Sequence, residues 1–417
     1  MEEAFITKIE GHGRLKVDWK KNQVVLEVLE SERLFEGLLV GRPAEEAPWI
    51  TARICGVCPT AHNLCALKAV EDAFGVTPDP ITVLLRKLHL DAQMIQSHAL
   101  HLYFLSFPDY LGIDSGLELK GTHPKYFQAA LTLKEVSDEI AQIVGGRATH
   151  PTRTTIGGYF KLPTAKQLQE LGKKLKEVLK AAESTFHLAV GLNYPQLESN
   201  LFFLSQVNEE RTFNIYESPE TQASDGTSWP VKDYKKEIGE ELRDFSTAKF
   251  GFYRGKPVMV GALARLAIQG ENLKRRAQKL FSRTKFNFQN PFHNNLAQAL
   301  ETIHFTEEAL EIVEELLSKP LGESKAPTQK PTLKSSRTGI GALEAPRGGL
   351  YHEYTINKKG VITGGNIITP TVQNLGSLEV TAQDLINQTK DLQKEKREKL
   401  LEMLARAYDP CITCSVH

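Results

Sequence analysis

Four cysteines are the residues whose type and spacing point most directly to chemistry. Cys55 and Cys58 form one Cys-x-x-Cys pair, and Cys411 and Cys414 form a second pair near the other end of the chain. Two such pairs supply four thiolates, which suit a soft metal ion. A structural zinc site, a thioredoxin-like redox pair and an iron–sulfur cluster are the three kinds of site to weigh.

The surroundings of the two pairs argue against an ordinary zinc staple. Zinc ribbons close short local loops, whereas this site would join an early segment to a late one. Pro59 and His62 follow the first pair and lead into an apolar helical pattern instead of a short knuckle. A single redox pair fits less well, because the two pairs flank one large helical region. A zinc-stapled scaffold stays the non-enzyme alternative.

The elements that must position these cysteines predict an α+β fold that is mainly α. Apolar residues recur at helical spacing in several stretches, and long helices with short connectors indicate a large central helical bundle. The helices are predicted at 62–74, 80–107, 124–144, 164–188, 271–282, 294–318 and 381–408. Alternating patterns predict a small N-terminal β-sheet and peripheral β segments, including short strands between 339 and 371.

We expect one domain over residues 1–417. It would comprise a β-rich start at 1–50, a helical core at 60–190, a β-containing insertion at 192–260, and a final part at 270–417 with helices, strands and the metal-ligand tail. A chain of this length can bury a large core. No repeat or low-complexity tract interrupts it.

Composition is that of a soluble globular protein. Hydrophobic residues make up 41% and charged residues 24%, with 51 acidic and 51 basic side chains. This balance argues against nucleic acid or an anionic membrane as a main partner. No apolar run approaches the roughly 20 residues of a transmembrane helix, and the amino terminus lacks a secretory signal. Five cysteines without a disulfide framework fit a reducing compartment, so we expect a cytoplasmic protein.

Two motifs resemble a known family. Arg53-Ile-Cys55-Gly-Val-Cys58-Pro-Thr-Ala-His62 and Asp409-Pro-Cys411-Ile-Thr-Cys414-Ser-Val-His417 are similar to the signature motifs of the nickel–iron hydrogenase large (catalytic) subunit. Supporting matches are Ile9-Glu10-Gly11-His12, Arg33-Leu-Phe-Glu36-Gly37, Ser97-His98-Ala-Leu-His101, Glu344-Ala-Pro-Arg347-Gly348 and Asn366-Ile-Ile-Thr-Pro-Thr371. The resemblance implies reversible heterolytic cleavage of H2. The related quinone-site subunit of respiratory complex I lacks the four cysteines, which excludes that assignment.

The resemblance also implies the ligand set. Cys55 and Cys411 would be terminal ligands of nickel, and Cys58 and Cys414 would bridge nickel to an iron that carries cyanide and carbon monoxide. Soft thiolates suit both metals, which supports the assignment independently. Cleaving H2 into a proton and a hydride needs an open metal position and a nearby base.

Residues around the metals carry implied roles in proton transfer. Arg347 and Cys411 are the candidate bases, and the choice stays open, although a guanidinium keeps its proton in nearly all settings. Glu10 matches the family's proton-relay glutamate; by itself, a glutamate beside a glycine would be read as a solvated turn residue. Asp409 is the acidic neighbour of the metals, since Ser97 stands where many periplasmic and membrane-attached members have Asp.

His62, Pro370 and Thr371 are the expected contacts to the metal cofactor. Thr371 would hydrogen-bond an iron cyanide; the simpler alternative is a strand hydroxyl bonded to backbone. Cys65 has no ligand role in the family and is expected to be a small buried helix residue.

A second metal is implied at the carboxy-terminal end. Glu36, His417 and the carbonyl of Ile367 match a site for magnesium or a similar divalent ion. The end at His417 resembles the mature form, which implies a maturation protease acting after this residue.

Partners follow from what the sequence lacks. One spare cysteine cannot hold an iron–sulfur cluster, and no Gly-x-Gly-x-x-Gly follows a strand, so neither cluster nor flavin is expected in this chain. The resemblance supplies an iron–sulfur small subunit. Ser97 resembles the soluble, cytoplasmic, multisubunit branch, which implies flavin- and iron–sulfur-containing diaphorase-type subunits. NAD(P) is the expected acceptor; ferredoxin, a deazaflavin and polysulfide are the alternatives.

Overall fold

The computed structural model describes residues 2–210, 212–323 and 331–417. The helices are α1 Phe35–Leu39, α2 Ala47–Thr51, α3 Pro59–Phe74, α4 Pro80–Leu100, α5 Phe107–Leu111, α6 Leu119–Thr122, α7 Pro124–Gly145, α8 Ala165–Val190, α9 Tyr234–Glu237, α10 Ala262–Gln269, α11 Arg275–Phe281, α12 Asn294–Leu317, α13 Pro370–Gln388, α14 Lys394–Ala407 and α15 Ile412–Ser415. The strands are β1 Glu2–Phe5, β2 Gly13–Asp18, β3 Gln23–Val28, β4 Thr154–Thr155, β5 Gly158–Tyr159, β6 Leu204–Val207, β7 Glu220–Ala223, β8 Ser228–Pro230, β9 Ile238–Arg243, β10 Ser246–Tyr253, β11 Arg337–Ala345, β12 Gly348–Ile356 and β13 Ile362–Ile368.

Helices α4, α7, α8 and α12 form the central bundle, in which α12 packs on α4 and α8, and α7 packs on the same two helices. Local signals set the helix ends. Asp79 caps α4 by accepting hydrogen bonds from the amides of Ile81 and Thr82, with Pro80 at the first helical position. Thr164 and Gln167 form a capping box at the start of α8. The α+β, mainly α prediction is confirmed.

The predicted helix at 80–107 is not a uniform α-helix. Helix α4 ends at Leu100, and the chain continues as a π-helical segment, His101–Ser106, before α5. A π-helical turn inserts extra backbone and re-aims the side chains that follow, and such turns are frequent at functional sites. His101, the first residue of the segment, points into the core and is buried.

The small N-terminal sheet is present as the antiparallel order β1-β2-β3, and the 192–260 region contains the two sheets β6-β7-β8 and β9-β10. The region 339–371 was predicted as short strands, and this was wrong in length. Strands β11 and β12 each span nine residues and pair with β13 in one antiparallel sheet.

This sheet lies directly on helix α3, which begins just after Cys58. Glycines on β11 make the close approach possible. A Cβ on Gly339 would lie 2.2 Å from the carbonyl oxygen of Ala69, and one on Gly341 would lie 2.1 Å from that of Cys65. No larger residue fits at either position without moving the backbone, so the two glycines fix the sheet against the helix.

Two further helix predictions were wrong. The single helix predicted at 381–408 is two helices, α13 and α14, separated at 389–393. Helix α13 starts eleven residues earlier than predicted, with Pro370 at its first position, where a proline is well tolerated. Helix α10 was missed; it follows Gly261, whose φ of 110° favours glycine.

Within the described ranges, no helix combines the length and hydropathy that a bilayer crossing requires.

Candidate metal centre

The four predicted cysteine sulfurs lie together. The Sγ atoms of Cys55 and Cys411 are 3.2 Å apart, those of Cys58 and Cys414 are 3.2 Å apart, and those of Cys411 and Cys414 are 2.9 Å apart. All four Sγ atoms lie within 4.8 Å of one another, and all four residues are buried. These separations are too long for a disulfide bond, whose sulfurs lie about 2.05 Å apart. All four are free cysteines, and the cluster has the form of a metal-ligand set.

The electrostatics of the cluster show that it fits a bound cation. Burial would raise the pKa of Cys55, but hydrogen bonds from the other thiols, that of Cys411 foremost, hold this pKa well below its usual value. Burial raises the pKa of Cys411 and of Cys414 well above their usual values. Four thiolates therefore cannot share this buried space unless a cation offsets their charge. Soft sulfur donors suit nickel and low-spin iron.

Local chain geometry brings the two cysteine pairs together. Pro59 begins α3 directly after Cys58, so the first pair lies in the turn before the helix. Arg33 joins the two halves, because its guanidinium donates to the carbonyl oxygens of Ile54 and Thr413. The role of Arg33 was not predicted; its position in a matched motif was the available signal.

Gly11 allows the amino-terminal segment to reach the second pair. A Cβ at this position would lie 2.6 Å from the Cβ of Ile412, and its φ of 84° also favours glycine. The amide of Ile412 donates to the carbonyl of Glu10 at 3.0 Å.

Arg347 lies beside the thiols and is held by Asp409 and Ser97. Its Nε donates to the carbonyl of Asp409 at 2.6 Å, one terminal nitrogen donates to the Asp409 carboxylate at 2.7 Å, and the other donates to the Ser97 hydroxyl at 3.1 Å. Burial opposes the charge, yet Asp409 and the cysteine thiols raise the pKa of Arg347 well above its usual value. Arg347 is therefore a fixed cation.

A second buried arginine, absent from the sequence prediction, supports Arg347. The guanidinium of Arg265 donates to the carbonyls of Ala345 and Pro346, at 3.0 Å each, and to the carboxylates of Glu301 and Glu344. These contacts fix the backbone that leads into Arg347. Arg265 lies on α10, the helix that the hydropathy pattern did not reveal.

Glu10 faces the second cysteine pair. Its carboxylate accepts from the amide of Thr413 at 3.0 Å and from the hydroxyl of Thr413. The same hydroxyl lies 4.0 Å from the sulfur of Cys411. Glu10, Thr413 and Cys411 thus form a short polar series, and Glu10 is not a solvated turn residue. Thr413 was not singled out in the sequence.

His62 also lies at the thiols, with its Nε2 3.7 Å from the sulfur of Cys414. Burial lowers the pKa of His62 to about 3, so the ring is neutral. Its Nδ1 lies 3.1 Å from Nε2 of His352, whose Nδ1 lies 2.5 Å from the Tyr354 hydroxyl. The second histidine and the tyrosine were not predicted, because they come from the sheet that packs on α3.

Thr371 lies next to the second cysteine pair, in the first turn of α13 after Pro370. Its hydroxyl accepts a hydrogen bond from the amide of Cys411 at 3.1 Å. The residue is therefore helical, and the alternative of a strand hydroxyl is wrong. A hydroxyl that accepts from this amide keeps its proton free to donate toward the thiol cluster.

Glu36, Ile367 and His417 converge at the carboxy-terminal end. The Glu36 carboxylate accepts from the amide of Ile367 at 2.7 Å, and Nε2 of His417 lies 2.7 Å from the Ile367 carbonyl oxygen. Nδ1 of His417 lies 2.7 Å from the carbonyl oxygen of Cys414. The last residue is thus tied to the thiol cluster. Cys65, in contrast, is buried on α3 and donates to the backbone carbonyl of Gly341 at 3.3 Å.

Known proteins with related sequences agree with this geometry. A family model described as nickel-dependent hydrogenase matches residues 33–123 and 189–417. The alpha subunit of sulfhydrogenase 1 of Pyrococcus furiosus is 36% identical over 99% of this chain and 96% of its own length. A subunit of the F420-non-reducing hydrogenase of Methanothermobacter thermautotrophicus is 31% identical over 99% of this chain and 93% of its own.

A solved structure of an NAD+-reducing NiFe hydrogenase in the H2-reduced state superposes with a TM-score of 0.87 at 25% identity, covering 100% of both chains. The fold, the four-thiol cluster and the relatives therefore agree along the whole length. The chain belongs to the nickel-dependent hydrogenase family, as a catalytic large subunit whose four buried cysteines form the metal-binding site.

Proposed function

We propose that this chain cleaves H2 heterolytically and reversibly at a Ni–Fe(CN)2CO centre, and that the electrons pass through an iron–sulfur small subunit to a soluble acceptor, NAD(P). The observation that carries the proposal is the convergence of four buried thiols from both ends of the chain beneath one fixed arginine. Zinc staples have no need of such an arginine.

Within the proposal, Cys55 and Cys411 hold nickel, and Cys58 and Cys414 bridge it to iron. When bound, the centre supplies the open metal position at which H2 is polarised. Thr371 supports this assignment, because its hydroxyl proton is free to donate to a cyanide ligand on the iron.

The chain's own residues then move the proton. Arg347 is a poor base, because its charge is fixed by Asp409, so it orients and stabilises charge beside the thiols. The sulfur of Cys411 is the better acceptor. From there the Thr413 hydroxyl, 4.0 Å away, leads to the Glu10 carboxylate. Apo hydrogen bonds are often long and tighten in the working complex.

A divalent ion, magnesium in our proposal, would be held by Glu36, His417 and the carbonyl of Ile367. A carboxylate and a carbonyl oxygen are ligands of the kind that magnesium prefers. The three groups already lie together, and His417 also contacts the carbonyl of Cys414. A metal here would stabilise the segment that carries the second cysteine pair.

An exposed apolar surface supports the small-subunit partner. Leu34, Leu38 and Val40, which flank or belong to α1, are 63%, 54% and 51% exposed. Trp49 and Phe160 lie nearby in sequence or space, with ring centroids 6.2 Å apart, and Phe160 is 63% exposed. Large apolar side chains on a surface mark interaction sites. Since α1 and α2 lead directly to the turn that carries Cys55, we assign the small subunit to this surface.

The acceptor and the remaining partners complete the proposal. Only one cysteine of the chain lies outside the cluster, so electrons need clusters on another subunit. A fold match to an NAD+-reducing hydrogenase supports diaphorase-type subunits and NAD(P), and hence a cytoplasmic location. Ferredoxin, a deazaflavin and polysulfide are the alternatives. The maturation protease stays a prediction from the resemblance.

The test uses the complex purified with its natural subunits under H2. Reduction of NAD+ or NADP+ at a rate comparable to dye reduction supports the proposal. Dye reduction without pyridine-nucleotide reduction would overturn the acceptor assignment only. In the same complex, Cys411→Ala should abolish H2-dependent dye reduction, and retained activity would refute the ligand role of Cys411. Cys65→Ala is the matched control, because this thiol lies outside the cluster.

A further inference from the structure

His101 is a buried residue whose two ring nitrogens each meet a hydrogen-bond partner. Nδ1 lies 2.5 Å from Oε1 of Gln298, and Nε2 lies 2.7 Å from the backbone carbonyl oxygen of Arg406. Nε2 also lies 3.9 Å from a carboxylate oxygen of Asp409. The ring therefore sits one residue away from the arginine that covers the thiols.

The partner of Nε2 is an acceptor without ambiguity, since a backbone carbonyl has no proton to donate. The carbonyl of Arg406 therefore requires a proton on Nε2. The partner of Nδ1 is an amide side chain, whose oxygen and nitrogen are assigned from their surroundings.

Asp409 settles the orientation of that amide. Nε2 of Gln298 donates to Oδ2 of Asp409 at 2.9 Å. If the amide were turned over, its oxygen would face a carboxylate oxygen, and two acceptors would meet. The other oxygen of Asp409 accepts from Arg347 at 2.7 Å, which favours the ionised carboxylate. The amide oxygen of Gln298 therefore faces His101 and requires a proton on Nδ1.

We infer that His101 is a doubly protonated imidazolium that works as a positioning residue, clamping Asp409 together with Arg347. Both of its nitrogens are donors, and its positive charge lies beside the Asp409 carboxylate. Resting on the proposed function, this assigns the charge balance next to the thiols: Asp409 stays an anion between two cations, and the anion keeps Arg347 aimed.

The other charged groups near His101 do not supply this cation. The Arg406 side chain faces away and is paired with Asp109 at 2.5 Å and with Glu402 at 3.2 Å. Lys8 is also paired with Asp109, at 2.8 Å. Asp409 thus has Arg347 and His101 as its cationic neighbours within the described residues.

A histidine one turn earlier on the same helix provides an internal comparison. His98 is also fully buried, with Nε2 2.8 Å from the Glu301 carboxylate. Its Nδ1 has no partner among the described residues. Burial lowers the pKa of His98 despite the carboxylate, so its ring is expected to carry one proton. The π-helical segment that starts at His101 turns this second ring toward different partners.

Neutron diffraction from deuterium-exchanged crystals of the complex, at neutral pD, tests the inference without an activity assay. We expect deuterons on both ring nitrogens of His101, none on Asp409, and one deuteron on His98. A single deuteron on His101 would overturn the inference. A single deuteron on His101 with one on Asp409 and a reversed Gln298 amide would overturn it too, and would show a neutral pair instead.

A variant separates positioning from simple packing. Gln298→Met keeps the volume and removes the acceptor at Nδ1, so His101 should lose one deuteron in the same experiment. The kcat of H2-dependent dye reduction should fall about tenfold to a hundredfold, as expected when a catalytic group is misplaced by about 1 Å. Nickel and iron contents should not change. Two deuterons on His101 in this variant would contradict the inference, whatever the activity.

Discussion

Glu10 and Thr413 are separated by 403 positions, yet the carboxylate of Glu10 accepts hydrogen bonds from both the amide and the hydroxyl of Thr413. This contact brings a carboxylate to within one hydroxyl group of the Cys411 sulfur. Proton transfer and chain closure therefore use the same pair of residues.

Glu10→Gln should separate the two roles. The amide oxygen can still accept from Thr413, so folding and metal content should change little. Proton transfer should fall about 10²-fold or more, since a glutamine cannot exchange a proton. Hydrogen–deuterium exchange between D2 and water measures this step.

Glu30→Gln is the control for Glu10→Gln. Glu30 accepts hydrogen bonds from the amide and ring of His12, away from the thiols and partly exposed to solvent. Exchange should stay at the wild-type rate in this variant. An unchanged exchange rate in Glu10→Gln would contradict the relay.

Arg347→Lys should lower kcat strongly while the metals stay bound. The guanidinium makes three hydrogen bonds at once, two to Asp409 and one to Ser97, and an ammonium cannot reproduce that planar geometry. A loss of about 10²-fold in kcat is expected, by analogy with removal of a preorganised donor. Steady-state H2 oxidation with a dye measures it.

Ser97→Ala is the graded comparison, because it removes one of the three hydrogen bonds of Arg347 and leaves the guanidinium and Asp409 in place. Its effect on kcat should be clearly smaller. Equal losses in the two variants would contradict the view that Asp409 is the main anchor.

Removing the carboxy-terminal imidazole should release the second metal. His417→Ala deletes a ring that contacts the carbonyls of Ile367 and Cys414. We expect the loss of one magnesium per chain by elemental analysis and a lower thermal unfolding midpoint. His187→Ala, an exposed change on α8, should alter neither quantity. Full magnesium content in His417→Ala would remove His417 from the ligand set.

Gly341→Ala should destabilise the fold. The added methyl group would overlap the carbonyl oxygen of Cys65 at 2.1 Å, and backbone atoms cannot yield as a flexible side chain can. Overpacking of this kind costs about 3 kcal/mol. The thermal unfolding midpoint should fall measurably. Gly364→Ala on β13 is the matched control, because no atom lies within 4 Å of its added Cβ. Equal midpoints would contradict the close packing of β11 on α3.

The sequence was sufficient for the parts of the site that lie in contiguous motifs. Both cysteine pairs and Arg347 sit in short segments whose residue types state their chemistry. Helical periodicity likewise located α7, α8 and α12, because long amphipathic patterns are strong signals.

The supporting residues could not be predicted because they meet only in three dimensions. Arg265 reaches Arg347 from a short helix, and His352 reaches His62 from a strand of the α3-packed sheet. A buried arginine and a buried histidine look like ordinary residues in sequence. The break between α13 and α14 was missed because charged residues on both sides continue a helical pattern across 389–393.

The central claim is that the four thiols hold nickel and iron, and elemental analysis with infrared spectroscopy of the purified complex tests it most directly. We predict one nickel per chain, iron in excess of the amount in the small subunit's clusters by one per chain, and infrared bands of metal-bound cyanide and carbon monoxide. Cys414→Ala should lose the bands. Zinc alone at the four thiols, with no such bands, would contradict the account.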